Sequence, residues 1–199
     1  MLSPTFSLLG ATHGSLEVLQ QMNIVLIGYR CTGKTAVGKI LARELGRSFL
    51  DTDGLVEEET GSSVQGLVSA KGWDHFREME KLVVEKITKG DNLVIATGGG
   101  VVMDGENVAH LKRNGWIVWL KTDAALIKER MEREERSGTI RPSLTGSDPI
   151  EEIDHVLSSR ASLYGEAADL TLDTSRCSPR EVADLVMKAL PLGVKGEDE

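Results

Sequence analysis

Short apolar runs alternate with segments of helical periodicity along most of the chain. Residues 24–27, 93–96 and 116–120 are continuous apolar runs, as expected of strands that are buried on both faces. Residues 48–50 predict a further short strand and residues 170–172 a weaker one, and helical periodicity covers about residues 34–45, 55–70, 74–89 and 179–190. Strands separated by helices predict an α/β fold with three layers, in which a five-stranded parallel sheet has helices on both faces.

The two ends of the chain and one internal segment do not follow this alternation. Residues 1–22 contain Pro4, Gly10 and Gly14 and predict a flexible N-terminal extension. Residues 23–190 predict a single domain, and residues 191–199 predict a C-terminal tail. Residues 133–147 are polar and rich in turn formers, so they predict either a plain surface loop or a mobile lid.

The composition narrows the class of protein. Of the 199 residues, 40% are hydrophobic and 27% are charged, which is typical of a globular domain. A formal net charge of -8 argues against a nucleic-acid partner but allows a small anionic substrate held by a few arginines. No apolar run approaches the roughly 20 residues of a membrane helix, and residues 1–22 lack the basic head of a signal peptide. We therefore expect a cytoplasmic protein without a membrane partner, and we expect it to act as a monomer. Cys31 and Cys177 are expected to be reduced thiols.

One motif predicts phosphate binding. Residues 28–35 read GYRCTGKT and match the pattern GxxxxGKS/T, directly after a predicted strand and at the start of a predicted helix. Glycines let consecutive N–H groups surround a phosphate, and the helix N-terminus adds positive potential. Lys34 can reach the β- and γ-phosphates, and the Thr35 hydroxyl can ligate Mg2+. The nucleotide site is therefore predicted to comprise Gly28, Cys31, Thr32, Gly33, Lys34 and Thr35.

Several classes of nucleotide-binding protein share this motif. A GTPase would carry an NKxD motif for guanine, and a motor ATPase would place an acidic residue at the end of a longer apolar strand. The sequence has no NKxD motif, and the predicted strand at residues 93–96 is followed by Thr97 and three glycines instead of an acidic residue. Both observations favour a small-molecule kinase. Asp51 and Asp53, two apart on a predicted extended segment, point the same way, so one can hold the metal's water shell while the other orients an attacking hydroxyl. Helix-capping or solvent-facing aspartates are the alternative.

Several motifs, taken in order along the chain, resemble those of the shikimate kinase family over roughly residues 23–190. They are the phosphate loop, residues 51–53 (DTD), Gly72 with Phe76, Arg77 and Glu80, residues 96–100 (ATGGG), Arg141 with Pro142, Arg160 with Tyr164, and Arg176 with Pro179. The resemblance implies a P-loop NTPase fold like that of nucleoside monophosphate kinases, with a mobile lid at about residues 133–147. It also implies transfer of a phosphoryl group from MgATP to the 3-hydroxyl of shikimate in chorismate and aromatic amino acid biosynthesis.

The resemblance also implies roles for individual residues. Asp51 would take the metal side, and Asp53 would hydrogen-bond the acceptor hydroxyl and accept its proton. Arg77 and Arg160 would bind the carboxylate, for which arginine offers a planar pair of donors. Glu80, three residues after Arg77 on a predicted helix, can pair with it and hold its guanidinium in place. The resemblance implies Lys34 and the lid arginine Arg141 in catalysis, and Arg176 and Pro179 at the adenine. Gly98, Gly99 and Gly100 would allow close backbone approach, with a plain glycine turn as the alternative, and Phe76 would form an apolar wall, with a place in the core as the alternative.

Two positions depart from the family pattern, and rival functions stay open. Trp73 stands where many members carry glutamate, and Cys31 stands where small residues are usual. A gluconate kinase would use the same phosphate loop, but not necessarily the two aspartates, Arg77 and the triple glycine. A regulatory protein that binds nucleotide without turnover is the other alternative, and the complete set of polar residues argues against it.

Overall fold

The computed structural model describes residues 21–138 and 142–191. Five parallel strands form one sheet in the order β2-β3-β1-β4-β5. The strands are β1 (Asn23–Ile27), β2 (Ser48–Asp51), β3 (Leu93–Ala96), β4 (Gly115–Lys121) and β5 (Leu170–Asp173). The helices are α1 (Lys34–Leu45), α2 (Thr52–Thr60), α3 (Val64–Ile87), α4 (Gly105–Arg113), α5 (Ala124–Arg136), α6 (Ile153–Ala167) and α7 (Pro179–Ala189), with a short 3-10 helix at Val101–Met103.

The central strand β1 is buried on both faces because every one of its apolar side chains has a helix opposite it. Ile24 and Leu26 pack on one face with residues of α1 and α7. Val25 and Ile27 pack on the other face with residues of α3, α4 and α6. The predicted α/β fold, with a parallel sheet between two helical layers, is confirmed.

Local sequence accounts for the ends of α1 and α7. Gly46 follows α1 with a φ of 64°, a conformation that favours glycine, and its N–H donates to Ala42 O. Ser178 begins α7 with a reciprocal capping box to Glu181, and Pro179 occupies the first turn. Both helices therefore lie within one residue of the predicted bounds.

The predicted bounds of the two helices after β2 are wrong. The second helix was expected from about residue 55, but α2 begins at Thr52 because the Asp51 carboxylate accepts the N–H groups of its first turn. Gly61, at φ 64°, ends α2, and the Ser63 side chain starts α3 by accepting the Gly66 N–H. The break expected near residues 71–73 is present only as a kink inside α3 at non-helical Gly72.

The polar segment at residues 133–147 also begins differently from the prediction. Helix α5 continues to Arg136, because Ile127 and Met131 give it a buried face. Residues 139–141 of the predicted lid lie outside the described residues, as do residues 1–20 of the predicted extension and 192–199 of the predicted tail. Among the helices of the described residues, none is both long enough and apolar enough to cross a membrane.

Candidate active site

The phosphate loop joins β1 to α1 at the carboxyl edge of the sheet. Cys31 has a positive φ of 62°, which helps to turn the backbone back on itself. The Thr32 hydroxyl donates to Tyr29 O at 2.9 Å and closes the loop. Lys34 is only 8% exposed, and its Nζ donates to Gly28 O and Tyr29 O at 2.7 Å each. The predicted phosphate-binding residues therefore form one loop around their lysine.

Two clefts open at this edge of the sheet and meet there. The P-loop cleft has a volume of about 460 Å³ and is lined by the phosphate loop, α5 and the start of α7. The arginine cleft, of about 640 Å³, is lined by Phe76, Arg77, Arg160 and the glycines at positions 98–100. Among the described residues, five line both clefts, namely Arg30, Thr35, Asp51, Asp53 and Gly99. Molecules bound in the two clefts would therefore face each other across the two aspartates.

The two aspartates do not lie together on an extended segment as predicted. Asp51 ends β2, and Asp53 lies in the first turn of α2, where its N–H donates to Asp51 Oδ1 at 3.2 Å. Asp51 therefore caps a helix, which was the alternative interpretation of this pair. Its second oxygen, Oδ2, accepts the Thr35 hydroxyl at 2.8 Å. Capping and a position beside Thr35 are compatible, because they use different oxygens of one carboxylate.

Arg77 and Glu80 form the ion pair predicted from their spacing on a helix. Arg77 Nη1 lies 2.6 Å from Glu80 Oε2, and the Glu80 side chain is fully buried. Burial raises the pKa of Glu80, and the neighbouring Arg77 guanidinium acts in the opposite direction. The guanidinium lies 5.2 Å from the ring centres of both Trp73 and Phe76. These contacts hold the Arg77 guanidinium in one orientation at the wall of the arginine cleft.

The glycines after β3 are required by close contacts with charged side chains. A Cβ at position 98 would lie 2.6 Å from Asp53 Oδ1 and from Glu80 Oε1. A Cβ at position 100 would overlap the Arg77 guanidinium. The Gly98 N–H donates to Thr52 Oγ1 at 2.8 Å, so this N–H is already paired within the protein. The lack of a side chain at positions 98 and 100 therefore leaves the room that Asp53, Glu80 and Arg77 occupy.

Two side chains of α6 donate hydrogen bonds to the Gly99 carbonyl oxygen. Arg160 Nη1 donates to Gly99 O at 3.0 Å, and the Tyr164 hydroxyl donates to the same oxygen at 2.5 Å. Tyr164 is 1% exposed and stacks on Trp119, with the ring centres 5.4 Å apart. Burial raises the pKa of Tyr164 to about 12, so it remains a neutral donor at ordinary pH.

The other predicted residues have mixed outcomes. Phe76 is 2% exposed and belongs to a core cluster, and it also lines the arginine cleft, so its position is compatible with the predicted wall. Pro179 lines the P-loop cleft. Arg176 is exposed and does not line the described part of either cleft. Arg141 lies outside the described residues.

Several residues that line the P-loop cleft were not predicted. Arg130 Nη1 donates to Cys31 O at 2.8 Å, and Cys31 Sγ donates to Glu134 Oε2 at 3.4 Å. Arg133 and Cys177 also line this cleft. The spacing of Arg130, Arg133 and Glu134 by three and four residues on one helix was the available signal, but it does not reveal which face of α5 meets the phosphate loop.

The chain is similar to known proteins over most of its length. A family model described as shikimate kinase matches residues 30–191. A shikimate kinase of Symbiobacterium thermophilum is 40% identical over 169 residues, which are 85% of this chain and 96% of the relative. A shikimate kinase of Thermodesulfovibrio yellowstonii is 42% identical over 166 residues, which are 83% of this chain and 93% of the relative.

A solved structure of a shikimate kinase is also similar to this chain. The shikimate kinase of Acinetobacter baumannii in complex with shikimate superimposes with a TM-score of 0.79 at 34% sequence identity, covering 87% of this chain and 95% of that chain. The family model and these relatives each extend over most of the chain. The chain therefore belongs to the shikimate kinase family.

Proposed function

We propose that this chain transfers the γ-phosphoryl group of ATP to the 3-hydroxyl of shikimate, giving shikimate 3-phosphate and ADP in chorismate and aromatic amino acid biosynthesis. The observation that carries the proposal is the pair of clefts that share Thr35, Asp51 and Asp53. Phosphoryl transfer depends mainly on placing donor and acceptor in line and neutralising charge between them. Two clefts that meet at polar side chains suit that task.

The phosphate loop and Lys34 bind the phosphates of ATP in this proposal. The Lys34 ammonium already lies inside the loop, where two carbonyl oxygens accept from it at 2.7 Å. Turning toward a bound nucleotide would bring its charge to the β- and γ-phosphates. Pro179, which lines the same cleft, and Arg176 are proposed to contact the adenine, and Arg141 is proposed to contact the phosphates from the lid.

Thr35 and Asp51 suit a magnesium ion, because a hydroxyl and a carboxylate oxygen lie 2.8 Å apart beside the phosphate loop. Groups of three or more acidic, histidine or cysteine side chains that could hold a metal do not occur among the described residues. This fits Mg2+, which keeps several waters and shares its remaining ligands with phosphates. When bound, Mg2+ neutralises charge on the transferring phosphoryl group.

Asp53 and the two arginines are proposed to hold the acceptor. Asp53 lies at the junction of the clefts, so it can accept a hydrogen bond from the attacking hydroxyl and take its proton. Arg77 and Arg160 line the arginine cleft and not the described part of the P-loop cleft, so they can bind a carboxylate there. One chain supplies every residue assigned here, so a monomer suffices. We propose a cytoplasmic location for it, since the reaction consumes ATP.

A coupled assay of ADP release tests the function directly. We expect ATP turnover to be strongly stimulated by shikimate and to stay near the background without an acceptor. Gluconate, as a hydroxy acid without the cyclohexene ring, is the control for a different acceptor. Turnover that shikimate fails to stimulate would overturn the proposal, and stimulation by gluconate alone would indicate a gluconate kinase.

A further inference from the structure

One buried carboxylate has no role in the reaction as described so far. Glu152 lies immediately before α6 and is 3% exposed. Its oxygens accept hydrogen bonds from the N–H groups of Leu144 and Thr145 at 2.9 Å, from the Thr145 hydroxyl at 2.9 Å and from the Ser143 hydroxyl at 3.0 Å. Within the described part of the chain these partners are all neutral. A buried carboxylate is costly unless such donors satisfy it, so Glu152 and residues 143–145 order each other.

The loop that Glu152 organises is a wall of the arginine cleft. Pro142 and Leu144 line that cleft and do not line the described part of the P-loop cleft. Two other elements hold the same loop, since Arg30 Nη1 donates to Pro142 O at 3.0 Å and Trp73 Nε1 donates to Ser143 O at 2.8 Å. The phosphate loop, α3 and the start of α6 therefore converge on residues 142–145, hereafter the 142–145 loop.

We infer that Glu152 is a positioning residue for the acceptor, acting through the 142–145 loop. This inference rests on the proposed function. Glu152 lines neither cleft in the described residues, so it does not touch the acceptor itself. By fixing the loop before binding, it presents the apolar side chains of Pro142 and Leu144 to one face of the acceptor ring. A loop ordered in advance does not lose conformational freedom when the ligand binds.

The position of Glu152 also explains why its effect is expected on one substrate only. Its loop borders the arginine cleft, whereas residues 31–34 of the phosphate loop border the P-loop cleft and not the described part of the arginine cleft. Loosening the loop therefore weakens acceptor binding while leaving nucleotide binding and the chemical step largely intact. A purely structural role would instead lower the melting temperature without separating the two KM values.

The test compares Glu152→Gln with Glu151→Gln, an exposed neighbour that removes the same charge. Glutamine keeps the shape but replaces one accepting oxygen with an NH2 group, which cannot accept from the loop. At saturating ATP we expect the shikimate KM of Glu152→Gln to rise about tenfold. We expect its ATP KM, and its kcat at saturating shikimate, to stay within about twofold of the unmodified chain. Glu151→Gln should change neither KM.

A folded Glu152→Gln with an unchanged shikimate KM would overturn the inference, as would an equal rise in both KM values. If Glu152→Gln does not fold, Ser143→Ala replaces it, because Ser143 is partly exposed and its hydroxyl donates to Glu152. The same separation of KM values is then expected at about threefold, and an unchanged shikimate KM again overturns the inference. Lack of shikimate-stimulated turnover in the unmodified chain would instead overturn the proposed function.

Discussion

Replacing Arg77 by alanine tests the acceptor assignment and the buried ion pair together. The change leaves Glu80 as a fully buried carboxylate without its partner, and its Oε1 already accepts no hydrogen bond within the described residues. Removing one member of a buried pair costs about 3 to 5 kcal/mol. Glu80 can take up a proton, because burial raises its pKa, and this limits the loss. We therefore expect the free energy of unfolding to fall by about 3 kcal/mol.

The same change removes a charged donor from the arginine cleft. A hydrogen bond to a charged group contributes about 1.5 to 3 kcal/mol, and each 1.4 kcal/mol is tenfold in affinity. The shikimate Kd should therefore rise about 10- to 100-fold. ATP affinity should stay nearly constant, because Arg77 lines the arginine cleft and not the described part of the P-loop cleft.

A double variant separates the two effects. In Arg77→Ala/Glu80→Gln the buried charge is gone, so stability should recover in urea unfolding while shikimate binding, measured by calorimetry, stays weak. Arg113→Ala, at an exposed arginine that does not line the described part of either cleft, is the matched control and should change neither quantity. A loss of ATP affinity as large as the loss of shikimate affinity would refute the assignment of Arg77. Failure of the double variant to regain stability would refute the account of the ion pair.

Three further predictions follow from the phosphate loop and the core. Lys34→Ala should lower kcat by at least about 1000-fold in the coupled assay, because it removes the positive charge that neutralises the phosphates in the bound state and in the transition state. A loss below about tenfold would contradict this. Alkylation of Cys31 should inhibit the enzyme and be slowed by bound ATP, since Cys31 lines the P-loop cleft; measured in a Cys177→Ser background, equal rates with and without ATP would count against it. Tyr164 has a folded pKa of about 12 against an ordinary 10.0, so its stabilising effect is complete below pH 10 and is lost as the pH rises toward 12. Tyr164→Phe should abolish this part of the pH dependence of stability. It should also remove the step at the highest pH in a titration followed by phenolate absorbance, and a titration unchanged by the substitution would contradict the assignment.

The pattern of residues predicted those parts of the structure that depend on near neighbours. Residues 24–27 and 93–96 are strands because their apolar side chains suit a sheet covered on both faces. The phosphate loop was predicted because its function needs specific residue types at fixed spacing between a strand and a helix. Arg77 and Glu80 were expected to pair because residues three apart are neighbours on one face of a helix.

Boundaries that depend on side-chain hydrogen bonds were predicted less well. The start of α2 at Thr52 depends on which way the Asp51 carboxylate turns, and Thr35 from a distant segment holds its second oxygen. The N–H of Gly98 is donated to Thr52, a partner 46 residues away. Propensity and periodicity describe a residue together with its neighbours in sequence, so such partners lie beyond them.

Strand order and the contents of the clefts were decided by tertiary structure. Pairing of β3 between β1 and β2 places Asp53, Gly99 and Thr35 at one junction, although they lie far apart in the chain. Burial of Glu152 against residues 143–145 has no signature in sequence, because a glutamate before a helix is usually exposed. Sequence alone predicted a phosphate loop and a parallel sheet, since both follow from local residue types. The facing of the two clefts required long-range packing that no local pattern encodes.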